Sequence, residues 1–365
     1  MKRRLKDLLI LLFVVGIGAA SVIVSGVIPI RASDGHLQLT KWLLDFSSDR
    51  SIAFHSAGIE VPPLDEPGFV TLGAGTFEAN CAWCHGRPGW RRPRVASQMT
   101  PPPPDLADVV QRFESSELFY ILRHGIKFAG MPAWPADHRD AEVWPVVAFL
   151  HELPVLSPDD YLKLIEVAAP TDRNVPDVVA SNCAHCHGID GTSRAGDRVP
   201  LLAGQQNAYL QNSLNAFAEG SRHSGVMEPI AARLEDKQIA VAVDWYSSQS
   251  SLAVGETPRI EDSDGESLAA GRRIAHEGVP DRKVPSCIHC HGPGTTTVGV
   301  YPKLAGMPQE YLIEQLELFR NRDRGGTGNA SVMHPAADAL TEQLRRDVTA
   351  YYASLPPTGK TAVED

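Results

Sequence analysis

The chain has 365 residues, 43% of them hydrophobic and 21% charged, with 28 prolines and 30 glycines. That length suits two or three domains, and the proline and glycine content implies many loops. A formal net charge of −10 excludes a nucleic-acid backbone as partner and favours basic ones.

The chain opens on a basic run, Lys2-Arg3-Arg4-Leu5-Lys6-Asp7, and carries no charge from Leu8 to Ile30. Those 23 residues, if helical, reach about 35 Å, enough for a hydrocarbon core of ~30 Å. The Lys/Arg cluster favours the cytoplasmic side. Residues 1–31 therefore read as a single-pass anchor in the inner (cytoplasmic) membrane, with everything after them periplasmic. A cleaved signal peptide is the alternative, with small residues at Gly18-Ala19-Ala20-Ser21 and Arg31-Ala32-Ser33. Against it, the apolar run exceeds the roughly 7–15 residues of a signal core. The anchor region carries five Lys/Arg against Asp7, which leaves the exported part at −14.

Residues 32–68 read as a juxtamembrane helix and a linker. The helix is expected over 34–56 with Ser33 or Asp34 as N-cap. Leu39, Trp42, Leu43 and Phe46 then share one face, which would lie in the membrane interface or pack on the first globular unit. Val61-Pro62-Pro63-Leu64-Asp65-Glu66-Pro67 makes a stiff connection.

The sequence Cys81-Ala82-Trp83-Cys84-His85 returns as Cys183-Ala184-His185-Cys186-His187 and as Cys287-Ile288-His289-Cys290-His291. On a helix the two thiols and the imidazole share one face, so the thiols can add to two vinyl groups while the imidazole lies under the iron. C-x-x-C-H is the attachment signature of c-type haem. All six cysteines fall in these motifs, whereas a disulfide framework would scatter them. Structural zinc pairs its knuckles within tens of residues, and here they stand 102 and 104 apart. Three covalently attached haem c groups, each with iron, are the expectation. The low aromatic content of 7% fits small cores completed by a large apolar cofactor.

Around the first motif, Gly73 and Phe77 precede Cys81 on one helical face. Pro101 to Pro104 follow as extended chain, then a helical segment near Glu117–Arg123, then Gly130-Met131-Pro132, then an amphipathic helix from Glu142 through Leu150. This arrangement resembles a class I c-type cytochrome domain. The resemblance implies an all-α fold of three tandem class I domains, at 69–155, 171–252 and 264–357, after one N-terminal transmembrane helix. The second and third stretches share Pro200-Leu201-Leu202-Ala203-Gly204 with Pro302-Lys303-Leu304-Ala305-Gly306, and M-x-P-x-A-x-x-L from Met227 and from Met333. They resemble tandem dihaem cytochromes. The first looks more like cytochromes joined to terminal oxidases or dehydrogenases. Two departures stand out. Val175 and Val179 replace the Gly/aromatic pair in the second unit, which predicts a short first helix. In the third, Glu277–Pro285 is inserted before Cys287, so its first helix is expected to end near His276.

Met131, Met227 and Met333 follow His85, His187 and His291 by 46, 40 and 42 residues, each beside a proline and before the last helix. A lone methionine is usually core filler, but three at one repeat position read as the far-side iron ligands. Met307 stands where the second unit has Gln205, which argues against it as a ligand. The resemblance further implies that Pro104, Pro200 and Pro302 accept the ring N–H of the ligand histidines. His124, His185, His289 and His334 are expected to play no part in ligation.

Haems held on both faces leave no position for substrate, so no catalytic residue is assigned and the chain reads as an electron-transfer protein, not an enzyme. The expectation is a membrane-anchored periplasmic trihaem cytochrome relaying single electrons in a respiratory chain. Its partners would be other redox proteins, a dehydrogenase, a cytochrome or a terminal oxidase, and no nucleic acid. Two alternatives stay open: a peroxidase or reductase with one open haem, and a cytochrome subunit of a membrane dehydrogenase or terminal oxidase complex.

Overall fold

The computed structural model describes residues 2–166, 174–250, 265–292, 300–326 and 328–357. The expected unit edges at 171–173, 251–252 and 264 lie outside them. The described residues are all-α, with no strand and three isolated antiparallel bridges.

Helix α1 (Lys2–Val24) begins inside the basic run, and its segment Arg3–Val24 is long and apolar enough to cross a membrane. It stops short of Ile30 because Gly26 takes φ +69° and Pro29 follows. Helix α2 (Gln38–Ser56) starts later than the sequence suggests. Asp34 does not cap it; its carboxylate accepts from Arg31 at 2.6 and 3.0 Å, and the residue before the helix, Leu37, offers no side-chain cap.

The first globular stretch contains α3 (Phe69–Asn80), α4 (Ala82–His85), α5 (Leu106–Val109), α6 (Ser115–His124), α7 (Trp144–Glu152) and α8 (Pro158–Ile165). A capping box between Glu114 and Glu117 starts α6. Where α3 crosses α7, a β-carbon on Gly73 would sit 2.0 Å from the Pro145 carbonyl oxygen, so only glycine permits the approach. Phe77 and Phe149 meet there, 5.2 Å between ring centroids. Tyr161 and Ile165 of α8 bury into the same core, beyond the expected edge at 155.

The second stretch holds α9 (Asp177–Asn182), α10 (Ala184–His187), α11 (Asn207–Ala218), α12 (Met227–Ala231) and α13 (Asp236–Ser248). Helix α9 is indeed short, six residues, and Val179 is fully buried against Val243 and Tyr246. The third holds α14 (Gly265–Glu277), α15 (Ile288–His291), α16 (Gln309–Asn321), α17 (Met333–Ala339) and α18 (Glu342–Ser354). The α14–α18 crossing repeats the first one: a β-carbon on Gly271 would lie 2.0 Å from the Asp347 carbonyl oxygen. After α14 a small hairpin, bridged between Val279 and Val284, carries the inserted residues, and Cys287 N–H returns to the Ala275 carbonyl at 2.9 Å.

Candidate functional site

Each C-x-x-C-H motif forms a single helical turn, α4, α10 or α15, with its first cysteine as N-cap. Cys81 and Cys183 are also the C-caps of α3 and α9, so in two units the first helix delivers the chain directly into the motif. One turn places both cysteines and the histidine on neighbouring positions of one face.

The three histidines share one contact. His85 Nδ1 lies 3.2 Å from the Pro104 carbonyl, His187 Nδ1 lies 3.3 Å from Pro200 and His291 Nδ1 lies 2.9 Å from Pro302. A carbonyl only accepts, so Nδ1 carries the proton and Nε2 keeps its lone pair. Burial lowers the basicity of all three against the opposing effect of these bonds, His187 down to about 4. The rings are thus neutral and aimed, as an iron ligand must be.

Five of the six thiols are shifted away from the thiolate by burial. Burial pushes Cys81, Cys183 and Cys186 up to about 12 and Cys287 to about 11. Thiolate chemistry needs the opposite shift. Among the described residues, no group of three or more His, Cys, Asp or Glu is arranged to hold a metal ion.

In the middle unit Cys183, Cys186, His187 and Met227 line one cavity, with Leu210 and Tyr246 on its walls. Tyr246 donates to the Gly188 carbonyl at 2.8 Å and Trp245 to the Ile189 carbonyl at 2.7 Å, which ties α13 to the motif. Met131 sits on the loop after α6, where its carbonyl accepts from Ile126 N–H at 3.1 Å. The methyl of Met99 packs against Gly130 on the same loop. Met333 opens α17 and packs near Phe319, Ala330 and Ala337. Met307 is buried in the core of the third unit. The ring nitrogens Nδ1 and Nε2 of His185 lie 2.7 and 2.9 Å from the carbonyl oxygens of Ile165 and Ser181, away from the cavity of the motif's own imidazole.

Sequence patterns alone miss the polar residues between units. Arg222 and Arg324 are buried on the cavity of the middle unit, each over an aromatic ring, Phe217 and Phe319, at 4.4 Å. Arg324 donates to the Tyr209 hydroxyl at 3.1 Å, and among the described residues neither arginine forms an ion pair. Burial and the Arg222 charge lower the Arg324 pKa. Tyr209, despite burial, is pulled down to about 8 by the two guanidiniums. Beside the first motif, Arg92 buries an Nε with no partner among the described residues. Buried cations without anions call for a ligand with acidic groups. Porphyrin propionates would meet that need, the imidazoles with Nδ1 held by a proline carbonyl would offer Nε2 to an iron, and the paired thiols suit thioether linkage, so the residues present fit haem. The missed signal was a repeat: Tyr209, Phe217 and Arg222 recur 102 residues on as Tyr311, Phe319 and Arg324.

Glu142 is the other missed residue. Its carboxylate accepts from Ser224 Oγ and Gly225 N–H, both at 2.6 Å, and pairs with Arg139 at 2.5 Å, which also reaches Glu314 at 3.2 Å. Ser224 Oγ in turn accepts from Met227 N–H at 3.0 Å. One acid two residues before α7 thereby holds the loop that carries Met227.

Comparison with known proteins follows this division. Residues 69–150 match the profile of cytochrome c oxidase, cbb3-type, subunit III, and residues 174–250 and 268–356 match cytochrome c. The chain is similar to cytochrome c-552 of Acidithiobacillus ferridurans, 33% identical over 190 residues, which covers 50% of this chain and 78% of that one. It is also similar to the thiosulfate dehydrogenase electron acceptor of Stutzerimonas stutzeri (33%; 48% and 80% covered) and to cytochrome c4 of Pseudomonas aeruginosa (32%; 48% and 85%). The solved structure of Acidithiobacillus ferrooxidans cytochrome c4 is 32% identical, with a TM-score of 0.42 over 48% of this chain and 99% of that one.

Proposed function

This chain belongs to the class I c-type cytochromes with tandem domains and is a multihaem electron-transfer protein; on that premise we propose that it is a trihaem relay anchored in the inner membrane. The observation that carries the proposal is the threefold repetition of one local geometry: a single-turn C-x-x-C-H whose imidazole is fixed by a proline carbonyl. Cys81 and Cys84, Cys183 and Cys186, and Cys287 and Cys290 would form the thioether links. His85, His187 and His291 would hold the iron on one side, with Met131, Met227 and Met333 on the other. Haem bound in this way supplies a one-electron ferric/ferrous couple, raised in potential by thioether ligation.

The residues around it position and insulate. Pro104, Pro200 and Pro302 keep each imidazole in one tautomer and orientation. Tyr246 and Trp245 brace the middle motif, and Arg222 and Arg324 supply positive charge that meets no ion-pair partner among the described residues. Helix α1, with Lys2, Arg3 and Arg4 in its first turn, is suited to hold the rest at the periplasmic face.

The relay would run between a dehydrogenase and a terminal oxidase of a respiratory chain. The match of residues 69–150 to an oxidase subunit supports the second partner, and relatives named as acceptors for a dehydrogenase support the first. Mass spectrometry of peptides from the mature protein tests the haem count. Three haem-modified motif peptides are expected, and unmodified thiols at any of the three would overturn it.

A further inference from the structure

Helix α2 presents two faces of unlike character. One is packed on the first unit: Ile52 and Ser56 are 5% and 4% exposed, the His55 ring stacks on Tyr120 of α6, and Asp49 reaches Arg112 at 3.4 Å. The other is apolar and bare: Leu39, Trp42, Leu43 and Phe46 are 75%, 60%, 53% and 53% exposed, and Phe54, further along the same stripe, is 77% exposed. Trp42 and Phe46 stack at 5.6 Å, so the face is a continuous ridge. The only charge on that face is Arg50, whose long stem can carry its guanidinium outward from an apolar layer.

What covers this ridge follows from the chain just before it. Only 13 residues, Ser25 to Leu37, separate α2 from the apolar helix α1. Fully extended they span no more than about 45 Å, so α2 is confined close to whatever α1 occupies. The connector is itself tied to the first unit, since Thr100 Oγ1 donates to the Ala32 carbonyl. A tryptophan-bearing apolar ridge at that distance has the composition of an interfacial helix.

We propose that α2 lies along the outer surface of the bilayer with Leu39, Trp42, Leu43 and Phe46 immersed among the lipids. Because its opposite face is packed on α6, it fixes the tilt of the first haem unit against the membrane. The inference rests on α1 being a retained anchor. Ordinary amphipathic helices of this kind bury their apolar face about 5–10 Å deep.

The test uses the full-length mature protein in phosphatidylcholine vesicles. All six native cysteines belong to the motifs, so Leu43→Cys provides one free thiol for a nitroxide, and Asp45→Cys on the polar flank provides the control. Power saturation against oxygen and a water-soluble nickel chelate reports depth. The expected result is a label at position 43 that is oxygen-accessible and chelate-protected, with the reverse at 45. Protein that floats with the vesicles while both labels are equally chelate-accessible overturns the inference and leaves the anchor standing. Dipolar broadening at position 43, the mark of a second copy on the ridge, overturns it too. Protein that fails to float defeats the anchor reading, and the inference falls with it.

Discussion

In the first and third units a helix of twelve or thirteen residues crosses a later helix, α7 or α18, at a glycine, Gly73 on the Pro145 carbonyl and Gly271 on the Asp347 carbonyl. The middle unit has only the six residues of α9, and Val175, at the place of Gly73, precedes that helix. The packing that α9 is too short to supply comes from the neighbours. Helix α3 lies so close to the second motif that a β-carbon on Gly75 would sit 2.9 Å from Cys186 Sγ. The end of α8 engages His185, Glu142 grips Ser224 and Gly225, and Gln205 exchanges hydrogen bonds with the Lys303 backbone at 2.7 and 3.1 Å. The outer units are braced from within, the middle one from both sides.

The glycine crossings should be the most sensitive points. Gly73→Val or Gly271→Val forces a side chain into a carbonyl, at an expected cost of about 3 kcal/mol or more, read by thermal unfolding. Val175→Gly, the formally equivalent change in the middle unit, should cost no more than roughly 1 kcal/mol, because no crossing depends on it.

Glu142→Ala attacks the bracing instead. It takes one of two carboxylate partners from Arg139, leaving Glu314, and removes the acceptor of Ser224 Oγ and Gly225 N–H in a partly buried site, for an expected loss of about 2–4 kcal/mol. Since Ser224 also holds the Met227 loop, the spectrum of one haem should change while the other two do not.

Arg324→Met removes a cation from the cavity of the middle unit. The holoprotein should lose about 1–3 kcal/mol, and one midpoint potential should fall, because positive charge near the iron favours the reduced state. Redox titration separates this from a purely structural effect, and Arg324→Lys should restore most of the potential but less of the stability.

The smallest effect is expected at His185. His185→Gln gives up a contact between units worth about 0.5–1.5 kcal/mol, and haem absorption should stay unchanged.

Much of this was legible in the chain. The motifs, the short α9 and the insertion before Cys287 follow from residues close in sequence, where helical spacing and proline geometry dictate the local form. Pro104, Pro200 and Pro302 could be named because the family resemblance implies the role and the loop after each motif carries a proline at the matching place. Glu142 could not, since no local pattern marks a contact 82 residues away such as Ser224 to Glu142, and Arg222 and Arg324 show in the sequence only as a repeat 102 residues apart that does not reveal their burial. The start of α2 was misplaced for a related reason. Asp34 looks like a cap, but a basic residue three positions earlier takes its carboxylate, and the chain stays non-helical until Gln38.

Carbon monoxide titration of the reduced protein, alongside haem quantification, bears most directly on the relay itself. Three covalent haems per chain and no carbon monoxide uptake are the result expected of iron closed on both faces in every unit. Uptake of one carbon monoxide per chain, or fewer than three haems, would contradict it.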